Sequence, residues 1–149
     1  MIDAKLVKEL RDKTDASILA CKKALEKADG DMTKAVEFLK EDGARMAEKK
    51  AERVTAAGLV EAYIHGTQKV GSLVELKSET DFVSRNPEFK HLAHEIAMHI
   101  AAANPDTLET LLGQGFIKDE SKTILDLIQE SIAKFGEKIE VTRFSRFEL

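Results

Sequence analysis

The spacing of apolar residues changes near residue 53, and this change divides the chain into two regions of different fold class. Before it, apolar residues recur every three or four positions, the period of an amphipathic helix. Beyond it, β-rich runs alternate with helical stretches. Because 149 residues are enough for two small domains, we predict a helical domain at 1–53 and an α+β core domain at 54–149.

Three helices and a connector are predicted in the first region. One begins after the capping residue Asp3, a second ends at Gly30, and Asp31 caps a third that we expect to end before Gly43. Residues 44–53 are rich in Ala, Lys and Glu, a composition typical of a solvated connector helix. This region is therefore predicted to be a small three-helix bundle.

The second region predicts a three-stranded antiparallel sheet packed by helices. The predicted elements are strands at 58–65 and 70–76 joined by a hairpin loop, helices at 87–103, 106–112 and 119–135, and a strand at 139–144 whose alternation breaks at Arg143-Phe144. A bulge is one possible cause of that break. Helices on one face of such a sheet make an α+β fold, and the other face needs a cover.

Candidate residues for catalysis or metal binding are few. Cys21 lies on the apolar stripe of its helix and is predicted to be a small buried side chain rather than a nucleophile. His91 and His94 lie three positions apart on a helix without the HExxH pattern, so ordinary histidines are favoured over a metal site. No phosphate-binding loop, dinucleotide-binding pattern or nucleophile elbow occurs. We therefore expect no catalytic residue, no metal and no cofactor.

Charge and hydropathy also limit the partners. The formal net charge is −4, whereas a generic nucleic-acid binder is expected to be basic. The basic side chains at 45–53 are interleaved with glutamates, as on a salt-bridged solvated face. No stretch approaches the length of a membrane span, and the first residues do not resemble a signal peptide. We expect a cytoplasmic protein that binds neither nucleic acid nor membrane.

The loop at 77–87 places ionisable residues beside an aromatic one in a chain with only seven phenylalanines and one tyrosine. One interpretation is that Ser78 or Thr80 caps a helical turn while Phe82 packs into the core. The other is that Asp81 and Phe82 form an acidic and aromatic wedge presented to a partner. The residues alone leave both interpretations open.

Several segments resemble those of bacterial translation elongation factor Ts, in a short form with a single copy of the core. The matching segments, which follow one another along essentially the whole chain, are 6–11, 21–25, 79–83, 97–105 and 136–144. The resemblance implies a ubiquitin-associated-like helical module followed by the core domain of the family.

In function, the resemblance implies a guanine nucleotide exchange factor for elongation factor Tu, which it would bind in the GDP-bound and nucleotide-free states. By analogy with the signature loop of the family, Asp81 and Phe82, flanked by Thr80 and Val83, would enter beside the nucleotide site of the partner. There they would disturb the Mg²⁺ ligation.

The same resemblance implies that the helical module docks on the nucleotide-binding domain of the partner. The contact residues would be Arg11 and the bulky apolar pair Ile18 and Leu19. The turn before this pair departs from the common pattern of the family, because Asp15 and Ser17 stand where glycines are frequent.

A single core copy leaves one face of the sheet without internal cover. We therefore expect a symmetric homodimer through that face, with Phe144, Phe147 and strand Val or Ile residues packed against a second copy. Two other classes stay open: an adaptor that binds a partner without changing its nucleotide release, and an enzyme, for which no site is visible.

Overall fold

The computed structural model describes residues 2–149, which form two compact units. The first comprises residues up to Ala51 together with Gln129–Gly136, and the second comprises Glu52–Ile128 together with Glu137–Leu149. The helices are α1 (Ala4–Thr14), α2 (Ile18–Lys27), α3 (Met32–Lys50), α4 (Asp81–Ser84), α5 (Pro87–Ala103), α6 (Leu108–Gly113) and α7 (Ile124–Phe135). The strands are β1 (Ala57–Ile64), β2 (Val70–Ser78), β3 (Gly115–Phe116), β4 (Asp119–Thr123) and β5 (Ile139–Glu148).

The predicted α+β class, with an N-terminal helical bundle and a three-stranded antiparallel sheet, is confirmed. The ubiquitin-associated-like character of the bundle and the domain boundary after residue 53 stay predictions. Within the described residues, no helix is long and apolar enough to cross a membrane.

Three side-chain caps begin the helices of the bundle. Asp3, Ser17 and Asp31 each accept a hydrogen bond from a backbone N–H in the first turn of α1, α2 and α3. The buried residues that these helices share are Leu10, Cys21, Ala24, Leu25, Ala28 and Ala35. Burial in this core raises the pKa of the Cys21 thiol, which agrees with its predicted role as a small apolar side chain.

The prediction that the third helix ends before Gly43 is wrong, because α3 continues to Lys50. Gly43 is buried inside the helix, and a Cβ placed there would lie 3.3 Å from the carbonyl oxygen of Gln129. The missing side chain therefore allows the backbone of α7 to approach α3 closely. The predicted connector at 44–53 is mostly the second half of the same helix.

The sheet has the strand order β1-β2-β5 and is antiparallel throughout. One face is covered by α5, since the Ser72 hydroxyl and the Arg146 side chain donate to the carbonyl oxygens of Ala97 and Ala101. Buried side chains of β2 and of α5 form the core between them: Val74, Leu76, Phe89, Ala93, Ile96 and Ile100. We call this the inner face of the sheet, and the opposite one the outer face.

A bulge in β5 decides which of its side chains reach each face. Glu75 lies opposite Arg143 and Leu76 lies opposite Val141, so Thr142 is an extra residue between them. After this residue the alternation changes phase. The predicted break of alternation is therefore present, one residue before Arg143-Phe144.

The change of phase corrects the expectation for one of two phenylalanines. Phe144 lies opposite the buried Val74 and belongs to the inner face, where it is only half-buried. Phe147 lies opposite Gly71 on the outer face and is 75% exposed. Only Phe147 of the pair is therefore available on the outer face.

Residues 119–123 form strand β4, paired with β3, rather than the first turns of a helix as predicted. The helix begins at Ile124 because Thr123 and Asp126 form a reciprocal cap. The Thr123 hydroxyl accepts from the Asp126 N–H at 3.1 Å, and the Asp126 carboxylate accepts from the Thr123 N–H at 2.9 Å.

The histidines of α5 occupy different environments. His91 and His94 are exposed, as expected for ordinary histidines, and His91 lies 3.2 Å from the Glu95 carboxylate. His99 is fully buried, and its ring contacts Gln114 and the backbone N–H of Ile117. Over residues 2–149, no three His, Cys, Asp or Glu side chains converge as metal ligands would.

Candidate partner-binding site

The loop between β2 and α5 contains a helix of one turn, α4, as the first of the two interpretations of this loop predicted. Phe82 in this turn is 91% exposed, and the adjoining Asp81 is exposed as well. The interpretation that Phe82 packs into the core is therefore wrong. Val83 and Ser84, the next two residues, are buried and attach the turn to its own domain core.

Hydrogen bonds fix every polar group of Thr80, the residue before the turn. Its N–H and its hydroxyl donate to the Glu137 carboxylate at 3.0 and 2.7 Å. Its carbonyl oxygen accepts from the Ser78 hydroxyl at 2.9 Å. Thr80 stands at the N-cap position, but its side chain bonds to Glu137 instead of capping the helix, contrary to the capping alternative.

Glu79 makes the corresponding contact in the opposite direction, from its carboxylate to the segment that contains Glu137. Its carboxylate accepts from the backbone N–H of Lys138 at 2.7 Å and lies 3.4 Å from the Arg53 guanidinium. The side chain of Glu79 is largely buried, at 19% exposure. The segment before Phe82 is thus held to the segment after α7 by two carboxylates.

Hydrogen bonds between neighbouring residues fix the C-terminal end of α4. The Ser84 hydroxyl donates to the carbonyl and carboxylate oxygens of Asp81 at 3.3 and 3.4 Å. Asn86 then caps α5 by accepting from the N–H of Glu88, with Pro87 in the first turn. The loop is therefore held by hydrogen bonds at both ends, where it leaves β2 and where it enters α5.

The arrangement presents a carboxylate and an aromatic ring side by side on a fixed turn. A carboxylate can accept hydrogen bonds or take part in the shell of a divalent cation. Burial of an exposed phenylalanine ring in an apolar pocket contributes about 2 kcal/mol or more. Such a pair suits insertion into a partner rather than turnover of a small substrate.

The other predicted contact residues lie in the helical bundle. Arg11 is exposed on α1, and Ile18 and Leu19 are 58% and 62% exposed in the first turn of α2. Asp15 adopts a left-handed conformation with φ 56°, whereas Ser17 is extended and caps α2. This turn leaves two large apolar side chains in solvent.

The outer face of the sheet is apolar at one end and charged at the other. The apolar side chains near Gly71 on this face are Ala62, Ile64, Leu73 and Phe147, and Val60 continues the apolar surface opposite Glu75. At the charged end, Glu75 accepts from the Thr142 hydroxyl and pairs with Arg143 at 3.1 Å. The hydrogen bond from Thr142, followed by the nearby Arg143, holds the pKa of Glu75 below its usual value.

Sequence reasoning missed Glu79 and Glu137 as residues that organise the loop. The two segments that they join are 57 residues apart, and no local pattern links them. Only the pairing of β2 with β5, which places Ser78 opposite Ile139, brings the segments together.

Comparison with known proteins identifies the family. Residues 79–149 match the family model described as Elongation factor TS. An elongation factor Ts of Desulforamulus reducens is 42% identical over 193 aligned positions, which cover 99% of this chain and 89% of that protein. One of Thermosipho melanesiensis is 41% identical over 192 positions, with 99% and 98% covered.

This chain therefore belongs to the elongation factor Ts family, as the resemblance predicted. It is a short member: the alignment with the Desulforamulus protein has 193 positions and this chain has 149 residues, so at least 44 positions have no residue here. The matched family model includes both the exposed turn at Asp81–Ser84 and the Glu137 segment that holds it.

Proposed function

We propose that this protein promotes GDP release from elongation factor Tu during translation elongation in the cytoplasm. The observation that carries the proposal is Phe82, a phenylalanine almost wholly in solvent yet held on a turn whose neighbours are buried or hydrogen-bonded. Exposure of a large apolar ring in a fixed position is unfavourable for an isolated protein and useful for insertion into a partner. Membership in the elongation factor Ts family supports the identity of that partner.

The mechanism requires differential binding and no covalent step. A GTPase holds its nucleotide through backbone groups and through a Mg²⁺ ion that demands near-octahedral geometry. We propose that Phe82 displaces an element beside that site while the Asp81 carboxylate perturbs the ligand shell of the ion. Tighter binding to the nucleotide-free partner than to the loaded one then weakens nucleotide binding by the same factor.

The helical bundle supplies a second contact in this proposal. Arg11, Ile18 and Leu19 would dock on the nucleotide-binding domain of elongation factor Tu and hold the factor in place. Ile18 and Leu19 are both more than half exposed, so their burial against a partner would be favourable. The Arg11 guanidinium can donate to a carboxylate or carbonyl oxygen of the partner.

We further propose that the active form is a homodimer through the outer face of the sheet. The five apolar side chains of the outer face form one surface, and a two-fold axis would cover it with its own copy. Phe147 and Leu73 are the central contacts in this arrangement. The charged end, with Glu75 and Arg143, would lie at the rim.

A stopped-flow measurement of GDP release from elongation factor Tu tests the function. The wild-type protein is expected to accelerate release, and Asp81→Ala and Phe82→Ala are expected to reduce the acceleration about tenfold or more, since each removes a contact made in the exchange complex. Asp106→Ala and Leu125→Ala, exposed residues outside the loop, are the matched controls and should retain the wild-type rate.

Two results would contradict the proposal. If the wild-type protein binds elongation factor Tu without changing GDP release, the adaptor alternative is correct. If Phe82→Ala, folded by circular dichroism, exchanges GDP as fast as wild type, another surface performs the exchange.

A further inference from the structure

Both oxygens of the Glu137 carboxylate are engaged with one residue, Thr80. Oε1 accepts from the Thr80 N–H at 3.0 Å and Oε2 accepts from the Thr80 hydroxyl at 2.7 Å. Hydrogen bonds to an ionised carboxylate are roughly twice as strong as those between neutral groups. This contact therefore fixes the backbone and the side chain of Thr80 together.

The neighbouring residues complete a reciprocal arrangement. Residues 79–80 supply the Glu79 carboxylate and the Thr80 N–H, while residues 137–138 supply the Glu137 carboxylate and the Lys138 N–H. Each segment thus donates one backbone N–H to a carboxylate of the other. We name this set, Glu79, Thr80, Glu137 and Lys138, the carboxylate clamp.

Apart from the clamp, the N-terminal side of the turn that bears Phe82 is held by the Ser78 hydroxyl, which donates to the Thr80 carbonyl oxygen. Helix α4 has four residues, and a single helical turn is not stable by itself. The Phe82 ring, almost wholly in solvent, contributes no packing that would hold the turn. Val83 and Ser84 fix its C-terminal side, so the opposite side depends on Thr80 and the clamp.

A glycine places Glu137 for this contact. Helix α7 ends at Phe135, and Gly136 follows with φ +71°, a conformation that L side chains rarely adopt. Its N–H donates to the carbonyl oxygen of Ile132 at 2.9 Å, which closes the last turn of the helix. The chain then leaves the helix abruptly and presents Glu137 directly to Thr80.

We propose that Glu137 is a positioning residue for nucleotide exchange, which acts through Thr80 to hold Asp81 and Phe82 in the orientation that enters the partner. Glu79 supports it from the other side of the clamp. This inference rests on the proposed role of the loop, but the state of the clamp can be measured without any partner.

The first test follows the Thr80 amide proton by NMR hydrogen exchange in the free protein. Glu137→Gln replaces two carboxylate acceptors with one amide oxygen and an NH₂ group that cannot accept. We expect the Thr80 N–H to exchange about tenfold faster or more, given the strength of hydrogen bonds to charged groups. Glu109→Gln, the same change at an exposed glutamate of α6, should leave it unchanged.

The second test measures GDP release from elongation factor Tu over a range of factor concentrations. Because the helical bundle is proposed to supply a second docking contact that Glu137 does not touch, Glu137→Gln should lower the rate at saturation about tenfold, with little change in the half-saturating concentration. A merely structural defect would reduce the amount of folded factor and would instead raise the apparent half-saturating concentration.

A double-mutant cycle tests whether Glu137 acts through Thr80. Thr80→Val removes the hydroxyl donor and keeps the N–H. It should slow exchange in the wild-type background and have little further effect with Glu137→Gln present, because the two changes disrupt the same contact. Independent, multiplicative effects would overturn the proposed route.

The outcomes separate this inference from the proposed function. If the Thr80 amide is as protected in Glu137→Gln as in wild type, the clamp does not hold the loop and the inference is wrong. If the amide is deprotected but GDP release is unchanged while Phe82→Ala slows it, Glu137 is not a positioning residue. If wild type itself does not accelerate release, the proposed function fails and with it the positioning role in exchange.

Discussion

His99 shows how a single residue can join two segments of the second unit. Its Nδ1 accepts from the Ile117 N–H at 3.2 Å, which leaves Nε2 as the protonated nitrogen that donates to the Gln114 side-chain oxygen at 2.9 Å. The contact with Ile117 requires a neutral ring, since a protonated ring has no acceptor, whereas the contact with Gln114 can be donated by either form. Burial is the main cause that holds the pKa of His99 below its ordinary value, against the Gln114 hydrogen bond, which raises it.

This environment predicts a pH dependence of stability. Above pH 6.5, the ordinary pKa, the ring is neutral in the folded and unfolded chains and adds no dependence. As the pH falls below that value the unfolded chain binds a proton first, so the free energy of unfolding decreases until the pH reaches the lowered pKa of the folded state. Urea unfolding at several pH values between about 7 and 5 measures this slope.

The control for this prediction is another histidine of the same helix. His99→Gln should flatten the dependence, because glutamine keeps a donor and an acceptor without titrating in this range. His94→Gln, at an exposed position, should leave the slope as in wild type. An equal effect of the two substitutions would show that His99 is not the responsible group.

At the scale of elements, helix α3 depends on one position without a side chain. Gly43→Leu would drive a large side chain against the backbone of Gln129, already 3.3 Å from the position of a Cβ. Overpacking of this kind costs about 1–3 kcal/mol, more than the helix-propensity gain of about 1 kcal/mol over glycine. We therefore expect a net loss of stability in denaturant unfolding.

Ala44→Leu is the matched control, because it introduces the same side chain at the next, exposed position of α3. It should change the free energy of unfolding by less than about 0.5 kcal/mol. If both variants unfold at the same denaturant concentration, the close approach at Gly43 is not a constraint.

The sequence predicts most of these elements because their signals are local. Capping by Asp3, Asp31 and Asn86 and the apolar stripes of the helices are legible within a few residues. The prediction fails at Gly43 because a glycine at a helix end and a glycine at a helix crossing look alike in sequence. The distinction depends on α7, which lies more than eighty positions away.

The same argument applies to the candidate site. Asp81 and Phe82 could be identified as an alternative from their composition and by resemblance, but their exposure depends on which neighbours reach the core. Thr123 and Asp126 carry a local capping signal that places the start of α7 after β4. The clamp has no local signal, since Glu137 meets Thr80 only through strand pairing.

At the scale of the whole molecule, the outer sheet face predicts an association equilibrium. Leu73→Lys places a charge in the centre of the apolar surface and should convert a dimer of twice 16.5 kDa into a monomer in sedimentation at micromolar concentration. The midpoint of thermal unfolding should rise with protein concentration for wild type and become independent of it for the variant.

Leu125→Lys is the control, because Leu125 on α7 is exposed to a similar extent as Leu73; this variant should remain dimeric. A wild-type protein that sediments as a monomer at micromolar concentration and still exchanges nucleotide fully would refute the proposed dimer. In that case Phe147, which the bulge at Thr142 places on the outer face, would not contact a second copy of the chain.

The hydrogen-bonded state of Thr80 has a kinetic consequence for complex formation. A loop that becomes ordered only on contact loses conformational entropy at that moment, which lowers affinity and can slow association. Here the turn that bears Phe82 acquires its order when the chain folds, together with β2 and β5. In the proposed complex the factor would therefore present a preformed surface, and no ordering of this loop would delay a productive encounter.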